Sequence, residues 1–265
     1  VVKYGGSIGP GDSDNDTILQ DIVFMEHVGM NPVIVHGGGV AIDKRLKERN
    51  IETRRVNGLR ITDGDTMQVV EETLFGEVNF AIVTELERLG GRAVGVSAKD
   101  AGVMHVRKHS GRDSNGDAVD IGYVGEVDHI DATPINELIK DGVIPVIAPI
   151  GLGEDKKSYN VNADTAAGEI AVGLCAEKLV FLTDVIGVMR DPSDDSSLLS
   201  TIQVDEVESL IKDRIIDGGM IPKAKACVQS VRAGVQKTHI VDGRIPHSML
   251  LEFLTDEGIG TQIVQ

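Results

Sequence analysis

Short runs of β-branched and aliphatic residues alternate along this chain with longer stretches in which apolar positions recur every third or fourth residue. The first pattern marks strands buried on both faces and the second marks amphipathic helices. Their alternation predicts a mostly parallel sheet with helices on both sides. Strands are expected at residues 1–4, Pro32–Val35, Arg92–Ser97, Val143–Ile150, Lys178–Leu182 and Thr238–Val241. Ile18, Ile22 and Met25 share one helical face, as do Ile42 and Leu46. Thr133-Pro134 reads as a cap followed by proline at the first helical position, and Ile221-Pro222 opens a helix in the same way.

Residues 103–128 break this rhythm. An apolar run from Val103 to Val106, a polar Gly111–Asp117 loop and a second run from Ala118 to Val127 predict an antiparallel hairpin set on the main sheet, placed to act as a lid. Asp191–Ser197 reads as a polar surface loop after a strand. There is no internal repeat, low-complexity tract or long linker, so two lobes, if present, share one continuous sheet.

Composition narrows the function. The 265 residues carry 26 Lys and Arg against 42 Asp and Glu, a net charge of −16 that repels nucleic acid and anionic membranes. No apolar stretch approaches the ~20 residues needed to cross a bilayer, and no signal peptide is visible, so a cytoplasmic location is expected. The chain opens in a strand-like run without methionine, which leaves room for residues before Val1. Cys175 and Cys227 lie in apolar, helix-like surroundings without C-x-x-C spacing and are expected to be small core residues.

The chemistry concentrates in four segments that join a β-rich run to glycines or to a polar turn: Val1–Ser7, Val33–Gly39, Asn160–Asp164 and Gly218–Lys223. Bare backbone N–H groups beside ammonium groups make anion sites, which points to an enzyme that handles phosphate. Familiar nucleotide fingerprints fail. Gly37-Gly38-Gly39 begins as G-x-G, but Ile42 stands where a dinucleotide motif needs its third glycine, and no Gly-Lys pair exists to form a Walker A loop. Lys223 falls near the positive end of the helix that Pro222 opens, where a cation is disfavoured unless an anion is expected. Lys3, inside an apolar strand, must snorkel or face a ligand near the strand's carboxyl end. Asp164 reads as a helix cap by itself and as something more if it pairs with the two lysines. His105 and His109 are four apart on a predicted strand, too distant to share a metal, and no protein metal site is expected.

Taken in order, Lys3-Tyr4-Gly5-Gly6, His36-Gly37-Gly38-Gly39, Asn57-Gly58-Leu59-Arg60-Ile61-Thr62-Asp63, Asn160-Val161-Asn162-Ala163-Asp164, Leu182-Thr183-Asp184-Val185 and Gly219-Met220-Ile221-Pro222-Lys223 resemble the amino acid kinase family, specifically its branch acting on N-acetyl-L-glutamate. The resemblance spans essentially the whole chain. It implies a three-layer αβα sandwich with a mostly parallel open central sheet, residues 1–160 binding N-acetyl-L-glutamate and dimerising, residues 161–265 binding ATP. It further implies phosphoryl transfer from MgATP to the substrate's side-chain carboxylate, the second step of arginine biosynthesis. On this resemblance Lys3, Asp164 and Lys223 are catalytic, Gly38, Gly39, Arg60, Asn160 and Asn162 bind substrate, and Gly5, Gly6 and Asp184 meet the nucleotide. Mg²⁺ is expected to ride on ATP.

The run from His247 to Thr261 resembles the arginine-inhibited branch, with Glu252, Gly258 and His239 as the expected L-arginine contacts. That branch also implies a homodimer or a hexamer built as a trimer of dimers, and in some members a nitrogen-signalling PII partner. Two departures stand out: Val40-Ala41 follows the triple glycine where many members carry Pro-Glu, and Tyr123 replaces a common His or Phe. The alternatives are a sister kinase for another acid, such as a carrier-bound aminoadipate-type acid, carbamate, aspartate or uridylate, and a non-catalytic arginine-sensing or PII-binding subunit.

Overall fold

The computed structural model describes residues 1–5, 15–112, 116–255 and 258–265. Its frame is an eight-stranded sheet in the order Thr201–Gln203, Thr261–Val264, Lys237–Asp242, Lys178–Thr183, Val2–Tyr4, Ile34–His36, Ile144–Ala148, Ala93–Ser97. All neighbours are parallel except Thr261–Val264, which runs antiparallel to Lys237–Asp242 and carries Thr201–Gln203 along with it. Helices cover both faces. On one, Ile18, Leu19, Ile22, Ile82, Leu86 and Met249 pack on Val2, Ile34, Val146, Val180 and Val241. On the other, Ala166, Ile170, Ala224, Cys227 and Ile135 pack on Val33, Val35, Ile147, Phe181 and Ile240. Neighbouring residues such as Ile34 and Val35 thus enter opposite cores, which is why the strands read as continuous apolar runs. Each such side chain contributes roughly 1.5–3 kcal/mol on burial.

A second sheet, ordered Ser158–Asn160, Ile150–Gly153, Met104–Lys108, Gly125–Ile130, stands over the carboxyl end of the first. The expected hairpin is met only in part: Met104–Lys108 pairs antiparallel with Gly125–Ile130 in this second sheet rather than on the main one, while Gly111–Arg112, expected in the loop, pairs with Ala118–Val119. The single strand expected at Val143–Ile150 is divided at Pro149, which has no N–H for a ladder. Ile144–Ala148 stays in the main sheet and Ile150–Gly153 joins the second.

Three further expectations change. Thr133 is the first residue of the Thr133–Lys140 helix and not its cap; Ala132 holds that position, and Asp131 before it accepts from Thr133 N–H at 2.9 Å. The later helix begins at Met220, so Pro222 sits inside its first turn. Cys227 is buried and its thiol pushed up to about 12 by burial, but Cys175 is exposed, in a left-handed conformation (φ 50°) just past the helix Ala163–Gly173.

A long helix that periodicity did not isolate runs from Gly64 through Arg88, its middle portion Glu72–Asn79 wound as a π-helix. Asn79 closes that portion beneath the sheet, donating to the Val146 carbonyl at 2.8 Å and meeting His36 Nε2 at 3.0 Å. A β-carbon at Gly95 would come within 2.2 Å of Asn79 Oδ1, so only glycine lets the edge strand pass.

Candidate active site

The fold brings the described parts of the four segments to one edge. Val2–Tyr4 and Ile34–His36 are adjacent and parallel, and their carboxyl ends open into Gly5 and Gly37. Gly5 adopts φ 146°, and a β-carbon there would stand 2.9 Å from the Gly37 nitrogen, so glycine is required for the two turns to lie this close. Gly37 N–H donates to the Tyr4 carbonyl at 2.8 Å. Buried His36 accepts from Asn79 at Nε2, which leaves its Nδ1 proton for the Gly37 carbonyl at 2.9 Å; burial pulls its pKa down to about 4, so the ring is neutral. Gly38 then caps the Gly39–Glu48 helix without any side-chain acceptor, and no acid occupies the first turn. The N–H groups there face the cleft unpaired by side chains.

Asp164 stands across from these turns. The helix Ala163–Gly173 is capped by Asn162, whose Oδ1 accepts from Asp164 N–H at 2.9 Å and Thr165 N–H at 3.1 Å, so Asp164 itself belongs to the first turn. Its Oδ1 lies 3.0 Å from Lys3 Nζ and its Oδ2 accepts from Lys223 Nζ at 2.8 Å. Burial alone would raise the Asp164 pKa, but the two ammonium groups outweigh it and hold the carboxyl below the usual range. Lys3, 6% exposed, is pulled below the ordinary lysine value by burial first, with Asp164 opposing. Lys223 enters from the Met220–Arg232 helix, whose N-terminus also has neither side-chain cap nor acid in its first turn.

From this triad a cleft of about 220 Å³ leads past Gly38, Gly39 and Asn162 to Arg60 and Asn160. Arg60 is delivered by a tight hairpin, Arg55–Val56 and Leu59–Arg60, whose turn residues Asn57 and Gly58 both take positive φ. Although buried, its guanidinium is paired: it donates to Asp43 Oδ1 and, at 3.2 Å, to the Gly39 carbonyl. Asn160 joins the same wall, its N–H donating to the Tyr123 carbonyl at 2.9 Å. Tyr123 meets Tyr159 edge-on and lies under the Lys157 ammonium, 5.4 Å from the ring centroid. A larger cavity, about 480 Å³, sits at the opposite ends of the strands among Val1, Pro32, Lys178 and Phe253, away from the glycine turns and the triad.

Lys3, Asp164, Gly38, Gly39, Arg60, Asn160 and Asn162 therefore share one cleft, with Gly5 at its sheet edge and Lys223 joined to it through Asp164. Gly6 lies outside the described residues. Asp184 follows the strand Lys178–Thr183 at the same edge of the sheet and accepts from Thr183 Oγ1 at 3.3 Å. Glu252, His239 and Gly258 form a separate cluster: His239 Nδ1 and Glu252 Oε1 are 2.6 Å apart, Ile259 and Gly260 N–H donate to Oε2, and a β-carbon on Gly258 would press on the same carboxylate. His105 stacks on His129 with ring centroids 4.3 Å apart, and no group of three His, Cys, Asp or Glu among the described residues is placed to hold a metal. Sequence reasoning missed Asp43, Asn79 and Thr62. Asp43 carried a faint signal, one helical turn beyond Gly39, but nothing in its spacing pairs it with Arg60.

The family model described as the amino acid kinase family matches residues 1–242. The acetylglutamate kinase of Pelotomaculum thermopropionicum is 49% identical over 270 residues, covering 99% of this chain and 90% of that protein. The acetylglutamate kinase of Syntrophomonas wolfei subsp. wolfei is 49% identical over 264 residues, covering 100% and 90%. The solved structure of smu.665 from Streptococcus mutans UA159 matches with a TM-score of 0.81 at 31% identity, over 99% of this chain and 97% of that one. Sequence and geometry agree: the chain belongs to the amino acid kinase family, beside its acetylglutamate kinases.

Proposed function

We propose that this enzyme transfers the γ-phosphoryl group of MgATP to the side-chain carboxylate of N-acetyl-L-glutamate, giving N-acetyl-L-glutamyl 5-phosphate and ADP, the second step of arginine biosynthesis. The observation that carries this reading is one carboxylate, Asp164, holding two ammonium groups at the mouth of a cleft whose far wall is a buried arginine. A carboxylate nucleophile is already ionised at neutral pH, so the reaction needs no base and depends on alignment and on neutralising charge in a loose transition state.

In this reading Lys3 and Lys223 bracket the moving phosphoryl group, and the N–H groups of the Gly5 and Gly38 turns donate to its oxygens. Donors preset in this way contribute ~3–4 kcal/mol each when removed singly. Arg60, its plane fixed by Asp43 and the Gly39 carbonyl, faces the α-carboxylate, and Asn160 reads the acylamino group. Residues 1–160 then act as the acceptor lobe and 161–265, with Asp184, as the nucleotide lobe. Mg²⁺ supplies charge neutralisation on the ATP phosphates; the donor set here, ammonium groups and helix N–H groups, suits a metal that arrives already bound to the nucleotide. We place L-arginine, as feedback inhibitor, at Glu252, His239 and Gly258, and a homodimer contact along the edge strand Ala93–Ser97, near which Val94 and Phe80 are exposed. The proposed location is the cytoplasm.

The test is ATP-dependent acyl phosphate formation, trapped as the hydroxamate, with N-acetyl-L-glutamate, L-glutamate, L-aspartate or carbamate, each with and without L-arginine. Turnover confined to N-acetyl-L-glutamate is expected. Preferred turnover of another acid overturns the substrate assignment, and undiminished turnover in L-arginine overturns the effector site.

A further inference from the structure

The wall that carries Arg60 and Asn160 is tied together by one buried threonine. Thr62 is fully inaccessible, yet its backbone and side chain make four links. Its N–H donates to the Ile121 carbonyl at 2.9 Å and its carbonyl accepts from Tyr123 N–H at 2.6 Å, two bonds that set it beside Gly122 in parallel register. Gly122 takes φ 74°, and a β-carbon there would lie 2.1 Å from the Thr62 oxygen, so the approach depends on glycine. The hydroxyl makes the other two links: it donates to the Arg60 carbonyl at 2.8 Å, and it meets Asn160 Nδ2 at 3.4 Å.

Hydrogen counting gives this pair of bonds a direction. A carbonyl only accepts, so the single hydroxyl proton of Thr62 goes to Arg60, and the remaining lone pairs can only accept. The group that Asn160 turns toward Thr62 must then be its NH₂. Asn160 lines the cleft, and its Oδ1 takes no hydrogen bond from the described residues. We propose that Thr62 is a positioning residue for substrate selectivity: it locks the Asn160 amide so that Oδ1 faces the cleft as the acceptor for an acylamino N–H. The assignment rests on the N-acetyl-L-glutamate reading above and deepens it. Selectivity for an N-acylated acid follows from one hydroxyl that never touches the substrate. Without the hydroxyl the amide can flip and present NH₂ to the substrate N–H, donor against donor.

The probe is a substrate pair differing in one group, N-acetyl-L-glutamate and (S)-2-acetoxyglutarate, in which an ester oxygen replaces the N–H. With the native enzyme kcat/KM is expected to fall about tenfold for the ester, the value of one net hydrogen bond. Thr62→Val is expected to lower kcat/KM for the amide about tenfold through KM, leave KM for ATP unchanged, and bring the amide-to-ester ratio within about twofold of one. Thr62→Ser, which keeps the hydroxyl, restores the ratio. If the valine variant fails to fold, Asn160→Ala reads the same collapse of the ratio. An unchanged ratio in Thr62→Val or Asn160→Ala, or no rescue by serine, overturns the proposal. Native turnover of both substrates at equal efficiency also overturns it while leaving the kinase reading intact. No turnover of N-acetyl-L-glutamate by the native enzyme is the distinct outcome in which the kinase reading itself fails and takes this assignment with it.

Discussion

Two buried carboxylates, Asp164 and Glu252, organise the two ends of this molecule, and they spend their charge differently. Both titrate below the usual carboxyl range although burial opposes this, because donors surround them. Around Asp164 the donors are ammonium groups on long side chains, each with three N–H bonds of which the carboxylate engages one. Around Glu252 they are His239 and the backbone N–H groups of Ile259 and Gly260, single donors fixed by the fold. The first arrangement keeps capacity for a ligand, whereas the second consumes nearly all of it in holding the C-terminal segment. One group escapes: His239 Nε2 is buried without a partner among the described residues. On the proposed roles, the flexible cations serve phosphoryl transfer and the fixed donors hold the segment at which L-arginine is placed.

The sharpest way to break this contrast is to remove one cation from the first cluster. Lys223→Met is expected to lower kcat by about a thousandfold while leaving KM for N-acetyl-L-glutamate within about threefold; steady-state kinetics showing near-normal turnover would refute the role of the triad. A smaller effect comes from pH. Because burial depresses the Lys3 pKa, kcat/KM should begin to fall at a pH below the ordinary lysine value of 10.5, by about tenfold per unit beyond the limb. The sign differs for stability. Between that depressed pKa and 10.5 the unfolded chain holds the extra proton, so the contribution of Lys3 to stability rises with pH as activity drops. Asp164 has the same slope in an acid window: its contribution is complete above pH 3.8 and is lost as pH falls through its lowered value. A pH–rate profile set beside thermal melts separates the two, and parallel loss of rate and melting temperature on the alkaline side would contradict it. The smallest catalytic effect belongs to Glu252→Gln, which is expected to cost about 1–3 kcal/mol in urea unfolding and to leave kcat within about twofold. A large loss of kcat with unchanged stability would reverse the roles assigned to the two clusters.

Much of this was legible in the sequence for a physical reason. Strands buried on both faces have to be apolar throughout, so Ile34–His36 or Lys178–Thr183 stand out from their neighbours, and glycine marks the turns at their carboxyl ends. Lys3 and Lys223 were conspicuous because a cation in an apolar strand or a helix N-terminus needs an explanation. What stayed hidden depends on contacts far apart in the chain. Asp43 stands 17 positions from Arg60, and Asn160 is 98 from Thr62. Single-chain periodicity carries no trace of either. Pro149 was read within a strand because its neighbours are apolar on both sides, whereas the missing N–H sends them to different sheets. Cys175 fails as a core residue for a local reason: it follows the helix end, where the backbone turns left-handed and carries the side chain outward.

The π-helical turn at Glu72–Asn79 has an implication for how this chain can change length. Each π turn accommodates one residue more than an α turn, so the segment behaves as an insertion absorbed without a loop. Removing one residue and restoring ordinary winding would leave the later positions near their present faces, so Ile82 and Leu86 would stay with the apolar interior. What would be lost is the wide turn itself, which ends at Asn79 and its bonds to His36 and the Val146 carbonyl. The helix can therefore shorten here by one residue without a change of face, and the constraint on this stretch lies in Asn79 rather than in its length.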